Sequence, residues 1–184
     1  DRLQMRSISG IKEPDKPADP IIVHPDVRRM LMEARAFNEG ARSLALWVAL
    51  LPNLAKSGED EKSKELANDI LGLLTPVIKG VFSEKGYQNA TNAQQVYGGH
   101  GYIREWGMDQ FVRDARIAMI YEGTNGIQAL DLVGRKLGSN GGRAIQSFFK
   151  IVSEDIAANK GDALQAFSKP LQAALSDLQS ASMW

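Results

Sequence analysis

The feature that most constrains what this chain can fold into is the spacing of its apolar residues. Val27, Met30, Ala34, Phe37, Ala41, Leu44, Val48 and Leu51 follow one another in steps of three and four, which traces one face of a long amphipathic helix. A second stripe carries Leu66, Ile70, Leu74, Val77, Val81 and Phe82. Shorter ones follow: Phe111, Val112 and Ala115; Ile127, Leu130, Val133 and Leu137; Ile145, Phe148, Phe149, Val152 and Ile156; and Leu164, Phe167, Leu171, Leu175 and Leu178. No segment sustains the period-two alternation of a half-buried strand. The pattern predicts an all-α fold, a four-helix up-and-down bundle with extra C-terminal helices joined by short loops.

Prolines and glycines punctuate the pattern. Residues 9–20, with three prolines and a glycine, read as an irregular linker. Pro25, followed by Asp26, suits the first turn of the first long helix, and Pro52 is expected to end or kink it. Gly58 to Lys64 is a charged connector. Pro76 should bend the second long helix and Gly86 mark its end. Thr91 with Gln94 three residues on has the form of a capping box, opening a short helix that stops at Gly98. Further helices are expected over about 108–118 and 125–137. Gly138-Ser139-Asn140-Gly141-Gly142 reads as a flexible hinge, dividing a bundle over 1–138 from an extension over 139–184.

Composition narrows the function. Basic and acidic residues balance at 22 each, so no global field recruits nucleic acid or an anionic membrane. There is no cysteine and the histidines are His24 and His100 alone, so neither a disulfide framework nor a metal site is expected. No apolar run approaches the roughly 18 residues of a membrane span, and no signal-peptide pattern is seen. The sequence opens at Asp1 without an initiator methionine and is expected to be a piece of a longer protein.

Chemistry concentrates between Gln94 and Lys136. Glu122-Gly123 lies in a break between two helical patterns, about twenty residues after the glycine cluster Gly98-Gly99-His100-Gly101. A carboxylate in one glycine-marked break, with another break nearby, suggests a ligand site.

The motifs Q-V-Y-G-G-H-G-Y, R-D-A-R and I-Y-E-G-T-N-G-I-Q, in that order and spacing, resemble the C-terminal helical domain of the acyl-CoA dehydrogenase family. The likeness is greatest to the larger bacterial members with an added helical extension. The resemblance implies a cytoplasmic FAD-dependent oxidoreductase acting on the CH–CH bond of acyl-CoA, with trans-2-enoyl-CoA as product. It implies a preceding helical domain and β-domain, so that this piece alone would be inactive. Glu122 matches the base that removes the α-proton, while hydride leaves Cβ for flavin N5. In the family the backbone N–H of this Glu and the ribityl 2′-hydroxyl serve the enolate oxygen. Gln95 and Gly99 match positions touching the ADP part of FAD held by a neighbouring subunit. Gly98 and Gly99 could equally cap a helix. Thr124 matches a flavin-contacting hydroxyl and could also serve as an N-cap. Arg2 and Gln4 match an arginine motif that reaches the pyrophosphate across the dimer, although Met5-Arg6 replace the usual Phe-Gly. Gly126 departs from the polar residue many members carry. Tyr121 and Gly123 match the wall of the acyl pocket; Tyr121 could instead be core.

Partners implied by the resemblance are the acyl-CoA substrate, a second copy in a homodimer or dimer of dimers, and electron-transfer flavoprotein as acceptor. An acyl-CoA oxidase would share Glu122. Relatives with a DNA-protecting role would expose a basic face, which the charge balance opposes. A helical interaction module without chemistry is the remaining class. Other residues carry structural expectations: His24 as a helix-start residue, His100 facing solvent in a turn, Arg113, Asp114 and Arg116 as a surface ion network, and Tyr97, Tyr102 and Trp106 packing a bundle end.

Overall fold

The computed structural model of the chain describes residues 2–159 and 161–183, without the side chain of Asp162. Among these the regular elements are helices: α1 Pro25–Ser57, α2 Glu61–Tyr97, α3 Gly99–Tyr102, α4 Met108–Ile117, α5 Asn125–Asp131, α6 Arg143–Ala158 and α7 Asp162–Ser182. Short 3-10 turns cover Ile21–Val23, Arg104–Trp106 and Ser139–Gly142, and a wider π turn covers Leu132–Lys136. One isolated antiparallel bridge joins Leu3 to Pro20.

Both long helices outrun the boundaries expected of them. α1 starts at Pro25 as predicted but continues through Pro52 to Ser57. Pro52 removes one N–H from the ladder, yet the apolar face just before it is anchored, with Val48 and Leu51 buried. The helix closes where Gly58 N donates to the Leu54 carbonyl at 2.8 Å. α2 is opened by Asp60, whose Oδ1 accepts from Ser63 N at 2.7 Å; that bond holds the Asp60 carboxyl below its ordinary range. The helix then runs without a break past Pro76 and Gly86 to Tyr97. A glycine inside a helix costs only about 1 kcal/mol relative to alanine, too little to end a helix whose flanks are this long. Thr91 is therefore internal: its Oγ1 donates back to the Gln88 carbonyl at 2.8 Å, and no separate helix begins there. α2 is also long and apolar enough to cross a membrane by length and composition, with mean hydropathy 1.2. Ala67, Ile70, Leu73, Leu74 and Pro76 of this helix are buried in the fold.

The chain divides into two compact units. The first comprises Asp1–Ala45 and Gly80–Asn125. In it Phe37 of α1 meets Phe82 of α2 edge-on, centroids 5.8 Å apart, and α3 packs on α4 and on the 3-10 turn before it. The expected linker is an ordered loop built around the buried Asp19. Asp19 Oδ2 accepts from Ser7 N at 2.8 Å, and Oδ1 from Lys12 N at 2.9 Å and Glu13 N at 2.8 Å. Arg6 Nη1 approaches Oδ1 at 3.3 Å. Burial alone would raise the Asp19 carboxyl, but the three backbone donors and Arg6 outweigh it and lower it to about 2.

The second unit comprises Leu46–Lys79 and Gly126–Trp184. Its core gathers Leu73 of α2, Ala144, Ile145 and Phe149 of α6, and Leu175 of α7, with Leu132, Leu137 and Ile156 packed against them. Residues on both sides of Gly138 thus share one core. The hinge sequence forms a tight turn with Asn140, Gly141 and Gly142 all left-handed, at φ 50°, 66° and 79°. Arg143, the first residue of α6, grips α2: Nε donates to Asp69 Oδ2 at 2.6 Å, Nη2 to Asp69 Oδ1 at 3.0 Å, and Nη1 to Glu65. The Asp69 hydrogen bonds, with those to Glu65, raise the Arg143 guanidinium further above its usual range. Elsewhere the apolar stripes are less buried than their periodicity suggests. Ile127, Leu130 and Val133 are exposed, as are Leu164, Phe167, Leu171 and Leu178 on α7, where Leu175 alone of the predicted stripe is buried.

Candidate functional site

The break holding Glu122 forms where α4 unwinds. Its last carbonyls are taken by Met119 N to Arg116 O at 3.2 Å, Ile120 N to Ile117 O at 2.9 Å and Tyr121 N to Ile117 O at 3.2 Å. The chain then passes through two left-handed residues, Glu122 at φ 54° and Gly123 at φ 81°, before α5 starts at Asn125. Gly123 adopts that conformation without penalty. Glu122 does not: a left-handed side-chain-bearing residue costs about 1–2 kcal/mol, and such strain persists only where the surroundings impose it. Glu122 and Tyr121 are exposed; Tyr121 at 52% is not core. Thr124 stands immediately before α5, which starts at Asn125.

A residue the motif reading passed over ties this turn to α2. Ser83 Oγ lies 3.0 Å from Asn125 Oδ1, which takes its proton in competition with the Gly80 carbonyl at 3.2 Å. Asn125 Nδ2 donates to Glu84 Oε2 at 3.2 Å. Ser83 and Glu84 carried no signal in the sequence beyond their place on a helix. Asn125 read only as the expected start of a helix.

The other predicted residues meet at the C-terminal end of α2. Arg2 Nη2 donates to the Val96 carbonyl at 3.0 Å and Nη1 to Gln4 Oε1 at 2.6 Å. Arg2 thus neutralises the partial negative charge at that helix end. His24 Nε2 bonds the Gln4 carbonyl at 2.8 Å, so it holds the N-terminal segment just before α1. Gly98 sits at φ 64° and ψ −145°, and a Cβ there would stand 2.6 Å from Arg2 Nη1. Gly99 differs: a Cβ on it would meet nothing within 4 Å. Arg2, Ile21, Val96, Tyr97, His100 and Trp106 line a cavity of about 520 Å³, with the His100 and Trp106 rings edge-on at 5.3 Å. Gln95 is exposed one residue before Val96. The structure therefore groups Arg2 and Gln4 with the Gln95–Gly99 segment, whereas Tyr121, Glu122, Gly123 and Thr124 stand on the separate turn between α4 and α5.

Two structural expectations are corrected. Tyr97, Tyr102 and Trp106 are 48%, 82% and 59% exposed and do not pack a bundle end. Among the described residues Arg113, Asp114 and Arg116 form no ion network; Asp114 Oδ1 accepts from Gln110 Nε2 at 2.6 Å and the Arg116 guanidinium lies over Tyr87 at 5.8 Å. Their geometry separates them, since neighbours one or two apart on a helix do not face each other.

The Arg2 cluster suits an anionic ligand that carries a ring system. Arg2 Nε is buried and has no hydrogen-bond partner, so this donor stays available beside the bonds that Nη1 and Nη2 make to Gln4 and Val96. The cavity beside it has aromatic walls, and the open face over Gly99 admits close backbone approach. A dinucleotide cofactor such as FAD fits these features.

Residues 5–137 match a family profile described as acyl-CoA dehydrogenase, C-terminal domain. The chain is 44% identical over 162 residues to a 3-methylmercaptopropionyl-CoA dehydrogenase of Ruegeria pomeroyi, which covers 88% of the chain and 26% of that protein. It is 35% identical over 183 residues to the broad-specificity linear acyl-CoA dehydrogenase FadE5 of Mycobacterium tuberculosis, covering 97% of the chain and 30% of that protein. Among solved structures, Caenorhabditis elegans ACDH-11 in complex with C11-CoA superposes with a TM-score of 0.74 at 22% identity, over 95% of the chain and 28% of that protein. The chain thus spans under a third of the length of these relatives, and the last likeness shows its all-α fold.

Proposed function

Because the chain belongs to the acyl-CoA dehydrogenase family, as its C-terminal domain, we propose that it supplies the α-proton base and part of the FAD site of an acyl-CoA dehydrogenase. The observation that carries the reading is the conformation of Glu122, a carboxylate held left-handed at φ 54° beside a left-handed glycine. A solvated turn gains nothing from that strain. A site that must aim one carboxylate does.

In the proposed reaction Glu122 accepts the proton from Cα of the thioester as the Cα–Cβ double bond forms. The α-proton is weakly acidic, so a positioned base contributes about 10²–10⁴-fold. Charge developing on the thioester oxygen requires a donor, and the Glu122 backbone N–H is assigned that task. Tyr121 and Gly123 border the acyl chain. FAD, when bound, would supply the two-electron acceptor for the hydride leaving Cβ, the product being the trans-2-enoyl thioester. Gln95 and Gly99 would contact the ADP part of FAD belonging to a second copy, Arg2 Nε and Gln4 its pyrophosphate, and Thr124 the flavin. The substrate is an acyl-CoA thioester, the assembly a homodimer or dimer of dimers, and the acceptor an electron-transfer flavoprotein. The names of the relatives support a dehydrogenase over an oxidase.

The test uses the full-length protein containing this chain, purified with its flavin and mixed anaerobically with a panel of acyl-CoA thioesters. Bleaching of oxidised flavin with equimolar 2-enoyl-CoA is the expected result. Flavin that no thioester reduces would overturn the reading.

A further inference from the structure

We infer that Asn125 is a positioning residue for Glu122, held by Ser83 and Glu84 so that the turn keeps its left-handed form. The inference rests on the proposed role of Glu122 and adds residues to it.

Three observations combine. Glu122 is strained at φ 54° and Gly123 follows at φ 81°. Asn125, three positions after Glu122, opens α5. Its side-chain amide is gripped at both ends by consecutive residues of α2, Oδ1 by Ser83 Oγ at 3.0 Å and Nδ2 by Glu84 Oε2 at 3.2 Å. These bonds span 42 and 41 positions of sequence, so they are tertiary and not consequences of the local turn. If Glu122 relaxed to a right-handed φ, the chain beyond Gly123 would swing and carry Asn125 away from α2. Two hydrogen bonds, one to a carboxylate, are of the same order as the strain they oppose. Weakening the grip removes part of what opposes relaxation of the turn and loosens the aim of Glu122, and a displacement of about 1 Å can cost on the order of 10²-fold in rate.

Asparagine is the residue the arrangement requires. It offers an acceptor toward a hydroxyl and a donor toward a carboxylate from one planar group. Aspartate keeps the acceptor but sets a second carboxylate against Glu84. Exchanging the donor to the other side, with aspartate at 125 and glutamine at 84, restores a complementary pair.

The experiment follows flavin bleaching by acyl-CoA in the anaerobic full-length enzyme, together with thioester affinity and flavin content. Asn125→Ala should slow bleaching about tenfold to a hundredfold, with thioester Kd and flavin content changed less than about twofold. Asn125→Asp should be slowed likewise, and Asn125→Asp with Glu84→Gln should recover most of the rate. That recovery keeps the test valid if the alanine variant folds poorly. Glu122→Gln, run in parallel, separates the two ideas. If Glu122→Gln blocks bleaching while Asn125→Ala leaves it unchanged, the clamp is wrong and the base assignment stands. If the Asp variant is slowed and Glu84→Gln does not rescue it, the clamp is likewise overturned. Normal bleaching in Glu122→Gln overturns both.

Discussion

Adjacent glycines at the end of α2 should respond in opposite ways to one added methyl group. At Gly98, φ 64° and ψ −145° lie in a region that is essentially glycine's alone, and holding another residue there costs about 1–3 kcal/mol. A Cβ would also stand 2.6 Å from Arg2 Nη1 and 3.1 Å from its Cζ, so the guanidinium must leave the Val96 carbonyl. A charge-assisted hydrogen bond in a partly exposed setting adds about 1 kcal/mol. Gly98→Ala should therefore destabilise by about 2–4 kcal/mol, or about 5–15 °C in melting temperature for a chain of this size. Gly99→Ala meets no atom within 4 Å and lies within α3. Alanine's higher helix propensity makes it neutral or stabilising by up to about 1 kcal/mol. Urea unfolding of the 184-residue chain followed by far-ultraviolet circular dichroism measures both. In the full-length enzyme the order should invert for cofactor, with Gly99→Ala losing FAD although it is stable. Equal stability of the two variants would refute the steric argument, and full flavin retention in Gly99→Ala would remove that residue from the cofactor site.

The loop around Asp19 should loosen in acid: Asp19 titrates at about 2 in the folded chain against 3.8 unperturbed. Its contribution is therefore complete above about pH 4 and lost as pH falls through about 2. Protection factors at Ser7, Lys12 and Glu13, amide exchange taken relative to its intrinsic rate at each pH, should fall over that window and stay level between pH 5 and 8. Arg143→Ala should lower the unfolding midpoint more than Arg35→Ala, because Arg143 joins α6 to α2 whereas Arg35 pairs with Glu39 within one helix; equal midpoints would contradict this. Thr91→Ala should change stability by only a few tenths of a kcal/mol, as for an internal helical residue; a loss of about 1 kcal/mol would restore it as an N-cap.

Helical class and helix faces were legible because burial imposes a period on the sequence. Met30, Val48, Leu51, Ile70, Leu74, Ile145, Phe149 and Leu175 stand in the predicted stripes and are buried. Helix ends were less legible. Pro52 and Gly86 are strong local signals, but a long helix anchored on both sides tolerates a local cost of a few kcal/mol. The stripe Ile127, Leu130, Val133 shows the reverse limit: periodicity reports an apolar face and not what covers it. Of the proposed site, motif and spacing single out Glu122 and the glycines, and resemblance singles out Arg2 with Gln4. Ser83, Glu84 and Asp19 were not, because each acts through a contact with a distant or irregular segment that no local pattern announces. The left-handed φ of Glu122 was equally hidden, since nothing about a glutamate predicts it.

The central claim is that Glu122 removes the α-proton, and Glu122→Gln in the full-length enzyme tests it most directly. Gln is nearly isosteric and keeps the backbone N–H assigned to the thioester oxygen, but its amide cannot accept a proton at neutral pH. Anaerobic rapid mixing with a good acyl-CoA substrate measures flavin bleaching in a single turnover. The account predicts a fall of about 10²–10⁴-fold or more, with flavin content and thioester affinity largely unchanged because the lost interaction grows only in the transition state. Near-normal bleaching in the Gln variant would contradict it and place the base in the part of the protein that lies outside this chain.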